Sequence, residues 1–151
     1  MSVRNLNVTR AAGMSVGALL RVTAAFEAAT AAGLLILPAL MLALLFGPMP
    51  DAASSLLLAR LFGAPLLSLS VMCWAASGEP GGRAVLSHVA AMLLYNVVVA
   101  ALLVYSATIL RLAGVALWPG VVAHALLAGW CVAELLQRGG RAAEINAGAG
   151  R

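Results

Sequence analysis

Residues 84–110 read AVLSHVAAMLLYNVVVAALLVYSATIL, without a single Asp, Glu, Lys or Arg. At ~1.5 Å of rise per helical residue, a stretch of this length is ample to cross a ~30 Å hydrocarbon core. Three further stretches of the same character accompany it, at 22–46, 54–76 and 117–136. Inside lipid every backbone N–H and C=O must find its partner within the protein, which for separate stretches of this kind means helices. The pattern therefore predicts an all-α integral membrane protein, a bundle of four antiparallel transmembrane helices in up-down-up-down order.

Composition points the same way. Hydrophobic residues make up 64% of the 151 and charged residues 9%, with a mean hydropathy of +1.05, whereas an ordinary soluble domain carries about 25% charged residues. The net charge of +4 rests on arginine alone, since the chain has no lysine. The arginines are scattered at helix ends rather than gathered on one face, so the basic excess belongs with cytoplasmic loops and not with nucleic acid. The first expected partner is the lipid bilayer.

The segment ahead of the first span resembles a secretory signal, with Arg4 and Arg10 before an apolar run and Ala29-Thr30-Ala31 in the place of a cleavage site. Arg21 and Glu27 interrupt what should be an unbroken apolar core, so an uncleaved first transmembrane helix is expected. Turn residues separate the spans: Gly47-Pro48-Met49-Pro50-Asp51, with Asp51 offered as a helix cap, then 77–82, then Arg111-Leu112-Ala113-Gly114. The organisation that follows is a cytoplasmic N-terminal segment (1–15), a transmembrane domain (16–138) and a flexible cytoplasmic Ala/Gly-rich tail (139–151). Connections this short leave no room for a soluble domain and make consecutive helices neighbours. Arg4, Arg10, Arg83, Arg138, Arg141 and Arg151 fall on one side and Arg111 alone on the other. The positive-inside rule then places both termini and the middle loop in the cytoplasm, and the bundle is expected in the cell's inner (plasma) membrane.

Small residues recur at fourfold spacing in Ala24-Ala28-Ala32, Ala25-Ala29-Gly33 and Ala125-Gly129-Ala133, the spacing that lets membrane helices approach closely. Pro38 and Pro65 each remove a backbone hydrogen bond inside a span and predict kinks. Cys73 and Cys131 lie in apolar segments with no CxxC spacing and read as small buried hydrophobes.

Specific chemistry can reside only at the polar residues that interrupt the spans: Glu27, Arg60, His88, Asn96, His124 and Glu134. Placing each span's middle at the membrane centre gives two layers. Glu27, His88 and Glu134 fall about 10–13 Å toward the cytoplasm, Arg60 and His124 about 4–7 Å toward the outside, and Asn96 near the middle. Arg60 is expected to bond His124, Asn96 or carbonyls freed near Pro38 or Pro65. Glu27, an acid among alanines, is the strongest functional candidate. Glu134 and Arg138 have the spacing of a surface ion pair, and His88 reads as interfacial. His88 and His124 lie too far apart in depth to share a haem, and no three ligands share a helical face, so neither cofactor nor metal is expected. No GxSxG, P-loop, HExxH or GxGxxG is present, and no enzymatic activity is expected.

The first span carries one resemblance. Arg21-Val22-Thr23-Ala24-Ala25-Phe26-Glu27 followed by Gly33 resembles the Arg, Phe, Gly first helix of DoxX-like small bacterial membrane proteins. That family also forms four-helix bundles, and the resemblance implies fold rather than activity. The lysine that often follows the glycine there is missing here. A first-helix glutamate also has an analogue in small multidrug resistance transporters. Two function classes result. One is a small accessory or structural membrane protein that forms homo-oligomers or stabilises a larger membrane complex. The other is a proton- or ion-coupled transporter or channel using Glu27 and Arg60.

Overall fold

The computed structural model describes the backbone of residues 3–48, 52–79 and 82–149, and the side chains of 16–48, 52–79 and 82–139. The described residues are all-helical outside short connections: α1 Val3–Ile36, α2 Pro38–Phe46, α3 Ala53–Ala76, α4 Arg83–Thr108 and α5 Leu117–Ala149. Four stretches are long and apolar enough to cross a membrane, namely Val16–Ile36, Ala53–Ala76, Arg83–Thr108 and Leu117–Gly139. The expected cap Asp51 lies outside the described residues.

The first span differs from the expected 22–46. Pro38 has no N–H to continue the ladder, and its ring forces the preceding residue out of the helical region. Leu37 accordingly sits at φ −125°, ψ 54°, and the chain restarts as the short α2. The span is recovered at the other end, because α1 already runs from Val3. Residues expected to form a separate N-terminal segment thus continue the same helix, and the backbone of 140–149 likewise continues α5. Pro65, by contrast, stays inside α3.

Breaking at Leu37 frees α2 to fold onto the connection between α4 and α5. The Ala116 N–H donates to Leu44 O at 2.8 Å and the Ala113 N–H to Phe46 O at 3.3 Å. These are carbonyls of the last turn of α2, which no N–H of its own helix reaches. Two glycines permit the fit. Gly47 adopts φ 88°, a region that L side chains avoid, and a Cβ on Gly114 would overlap the backbone of Leu44 and Leu45.

Packing is concentrated along α1 with α3 and along α4 with α5, while α3 and α4 touch only lightly. Gly17 lies against the Ser77 carbonyl, and Gly63 against Ala31 and Leu35. Between them the buried Ser70 hydroxyl donates to Ala24 O at 2.9 Å. Small residues set this close approach, along a stripe that shares Ala24 with the expected Ala24-Ala28-Ala32 and otherwise departs from it. Ala24 and Ala31 are buried, whereas Ala25, Ala29 and Ala32 are exposed. Ala125, Gly129 and Ala133 are exposed throughout, with open space around Gly129. Leu19, Leu20, Val89, Met92 and Leu127 share the apolar core with Cys73 and Cys131, and both cysteines are buried and free.

Candidate functional site

Glu27 is entirely buried near the middle of Val16–Ile36, and Tyr95 and Asn96 straddle the midpoint of Arg83–Thr108. The Tyr95 hydroxyl donates to Glu27 Oε2 at 2.9 Å, joining α1 to α4. Asn96 Nδ2 donates to Met92 O at 2.7 Å, so its Oδ1 is the acceptor for His124 Nδ1 at 2.8 Å, joining α4 to α5. The imidazole is held edge-on between two rings, Phe26 at a centroid distance of 5.4 Å and Tyr95 at 5.7 Å. Residues from three helices thus converge at one depth. The sequence placed Glu27 and His124 in separate layers, and the shift of the first span toward the N-terminus is what brings them together.

Two polar atoms at this level have no hydrogen-bond partner among the described residues, Glu27 Oε1 and the buried Thr23 Oγ1 one turn earlier. The chemistry available here is hydrogen bonding.

The remaining polar residues stand apart. Arg60 is exposed, and its Nε donates to Leu35 O at 3.3 Å, a carbonyl of the turn that Pro38 interrupts. This is the freed-carbonyl arrangement expected as one of its options. His88 is half-buried and its Nδ1 lies 2.8 Å from Ala84 O on its own helix, away from Glu27. Glu134 is buried, and Trp130 Nε1 donates to its Oε1 at 3.4 Å. Among the described residues, no group of three or more His, Cys, Asp or Glu is arranged to hold a metal ion.

A cavity of about 930 Å³ opens beside the convergence point, near the upper end of the ~300–1,000 Å³ of small-molecule sites. It runs from Tyr95 and His124 toward α2, whose Met41, Leu45 and Phe46 close its far end. Phe62 of α3 and Leu102 of α4 both line it while remaining 66% and 59% exposed. The cavity therefore reaches the surface at the light seam between α3 and α4.

The chain matches no family model, no curated protein and no solved structure.

Tyr95 is the member of this site that the sequence reading does not single out. A signal for Tyr95 was present: tyrosine favours membrane interfaces, and this one stands mid-span beside the only asparagine of its stretch.

Proposed function

We propose that this chain is a small, non-catalytic polytopic membrane protein of accessory or structural type, which associates with copies of itself or with a larger membrane complex. The four spans run up-down-up-down in the inner membrane with both termini cytoplasmic. Support for the antiparallel order comes from the pairings of Gly17 with Ser77, Ala24 with Ser70 and Leu35 with Arg60, in which one residue number rises as the other falls. The arginine distribution supports the orientation. The likeness of Arg21, Phe26 and Gly33 to the first helix of DoxX-like proteins is part of the same proposal.

The observation that carries the accessory reading is Arg60. It lies about 7 Å from the middle of Ala53–Ala76 and is exposed, with Leu61 and Phe62 exposed beside it. Holding a guanidinium at a helix centre against lipid costs roughly 2.5–3.5 kcal/mol, and one bond to Leu35 O offsets only part of that. A protein surface laid over Arg60 removes the cost. The exposed Ala125-Gly129-Ala133 stripe offers a second face suited to close helix contact. A joint role for Glu27 and Arg60 in moving an ion is less well supported, because Glu27 is sealed in the bundle while Arg60 sits on its outer surface.

The test is the mass of the protein–detergent particle after mild solubilisation, by light scattering. The native protein is expected as an oligomer or within a complex, and Arg60→Gln is expected to shift it toward the monomer. A native protein that is monomeric in mild detergent and uncrosslinked in its own membrane would defeat the reading.

A further inference from the structure

We infer that the cavity beside Tyr95 and His124 is a binding site for a neutral lipid-soluble alcohol, a molecule with a hydrocarbon body and a hydroxyl head that donates a hydrogen bond. This goes beyond the accessory role and requires only that the spans lie in lipid.

The inference comes from the direction of the hydrogen bonds in the wall. Four polar side chains line the cavity: Thr30, Tyr95, Ser106 and His124. Each has already given its hydrogen to the protein. Thr30 Oγ1 donates to Phe26 O at 3.0 Å, Ser106 Oγ to Leu102 O at 2.8 Å and Tyr95 Oη to Glu27 Oε2 at 2.9 Å. For His124 the donor follows from its partner. Asn96 Nδ2 is committed to Met92 O, so Asn96 Oδ1 accepts and His124 Nδ1 carries the hydrogen. Nε2 of the neutral ring is then an acceptor. The backbone adds no donor at the α5 end of the cavity, since Pro119 has no N–H and the N–H groups of Ala116 and Gly120 are bonded to Leu44 O and Ala116 O. The polar side chains of the wall therefore present lone pairs alone, and their complement is a hydrogen-bond donor.

Depth and access fix the rest of the chemistry. His124 Nε2 and Tyr95 belong to residues within about 6 Å of the middle of their spans, so a charged or zwitterionic head would have to be carried to the hydrocarbon centre at a cost of several kcal/mol. That excludes a phospholipid head and favours a single hydroxyl. The opening between Phe62 and Leu102 faces the hydrocarbon rather than water, so the occupant arrives sideways from the bilayer. The apolar remainder of the wall, including Leu34, Met41, Leu45 and Phe62, receives the hydrocarbon body.

The experiment is a competition in nanodiscs holding the full-length protein, with 1-tetradecanol, its methyl ether and tetradecanal at equal membrane mole fraction and bound adducts counted by native mass spectrometry. The three share a chain and differ in the head: donor, capped and acceptor. The alcohol is expected to be retained about three- to tenfold over the other two, the worth of one net hydrogen bond. His124→Phe, which keeps the ring stack, is expected to level alcohol and ether. Ala123→Phe, placed in the cavity wall, is expected to abolish all three adducts. Equal retention of alcohol and ether by the native protein, preference for the aldehyde, no adduct at all, or undiminished alcohol binding by Ala123→Phe would each overturn the assignment. The native comparison stands even if a variant does not fold. None of these outcomes depends on whether the particle is an oligomer, so failure here is distinguishable from failure of the accessory reading.

Discussion

The Tyr95 hydroxyl and the Glu27 carboxyl meet from α4 and α1, helices that are not among the main packing pairs. Their bond joins the two halves of the bundle at mid-span, beside the Phe26–His124 ring contact and apart from the backbone bonds of α2 to the α4–α5 connection. Tyr95→Phe keeps the ring against His124 but leaves both Glu27 oxygens without a donor. Membrane hydrogen bonds average about 0.6 kcal/mol in double-mutant cycles, with a maximum near 1.7, and an orphaned buried group costs ~1–3 kcal/mol. A loss of about 1 kcal/mol is expected, read as a Tm lowered by a few degrees in detergent, with Thr30→Val as a milder comparison. An unchanged Tm would mean that the two halves are held in register by apolar contacts and the backbone bonds of α2 without help from this pair. At this scale Glu27, Asn96 and His124 were legible in the sequence, since a polar group inside an apolar run announces itself. Their partners were not. Moving the first span from 22–46 to Val16–Ile36 shifts its midpoint by eight residues, about 12 Å, and only that shift sets Glu27 opposite Tyr95.

At the scale of the element, α2 illustrates how a break becomes a part. Pro38 was readable as a kink inside a span, and Pro65 gave the same signal, yet only Pro38 ends its helix. The difference lies outside the helix, in Gly47 at positive φ and Gly114 beneath Leu44 and Leu45, which let α2 dock on a loop far along the chain. Long-range fits of this kind leave no periodic trace. Gly114→Ala would place a Cβ where the Leu44 and Leu45 backbone already is, and backbone cannot rotate away as a side chain can. A destabilisation of roughly 1–3 kcal/mol is expected from such overpacking. Gly129→Ala, with nothing near it within one chain, removes a mid-helix glycine and should hold stability or raise it by up to about 1 kcal/mol. Thermal unfolding of the two variants side by side checks both, and a Gly114→Ala protein as stable as Gly129→Ala would mean that α2 does not dock as described.

For the whole molecule, four spans were legible from composition and length, because a hydrocarbon core imposes its thickness directly on the sequence. The division of those spans into two tightly packed pairs was not. Short connections suggest that all consecutive helices are neighbours, and they say nothing about how deeply neighbours interlock. Gly17, Ala24, Ala31 and Gly63 bring α1 onto α3, and Asn96 with His124 brings α4 onto α5. Between α3 and α4 stand large residues, Phe62 and Leu102, which keep the backbones apart and leave the cavity mouth.

That unequal packing bears on how the protein is made. Each pair buries its own small-residue or polar contact before the other exists, so the first pair can settle in the bilayer while the second is still being synthesised. The covalent link between α3 and α4 is then not what holds the two pairs together. Severing it should be tolerated: residues 1–79 and 82–151 produced as separate polypeptides are expected to find each other in the membrane and co-purify, whereas a cut between α4 and α5, through the turn that anchors α2, is expected to yield only degraded fragments.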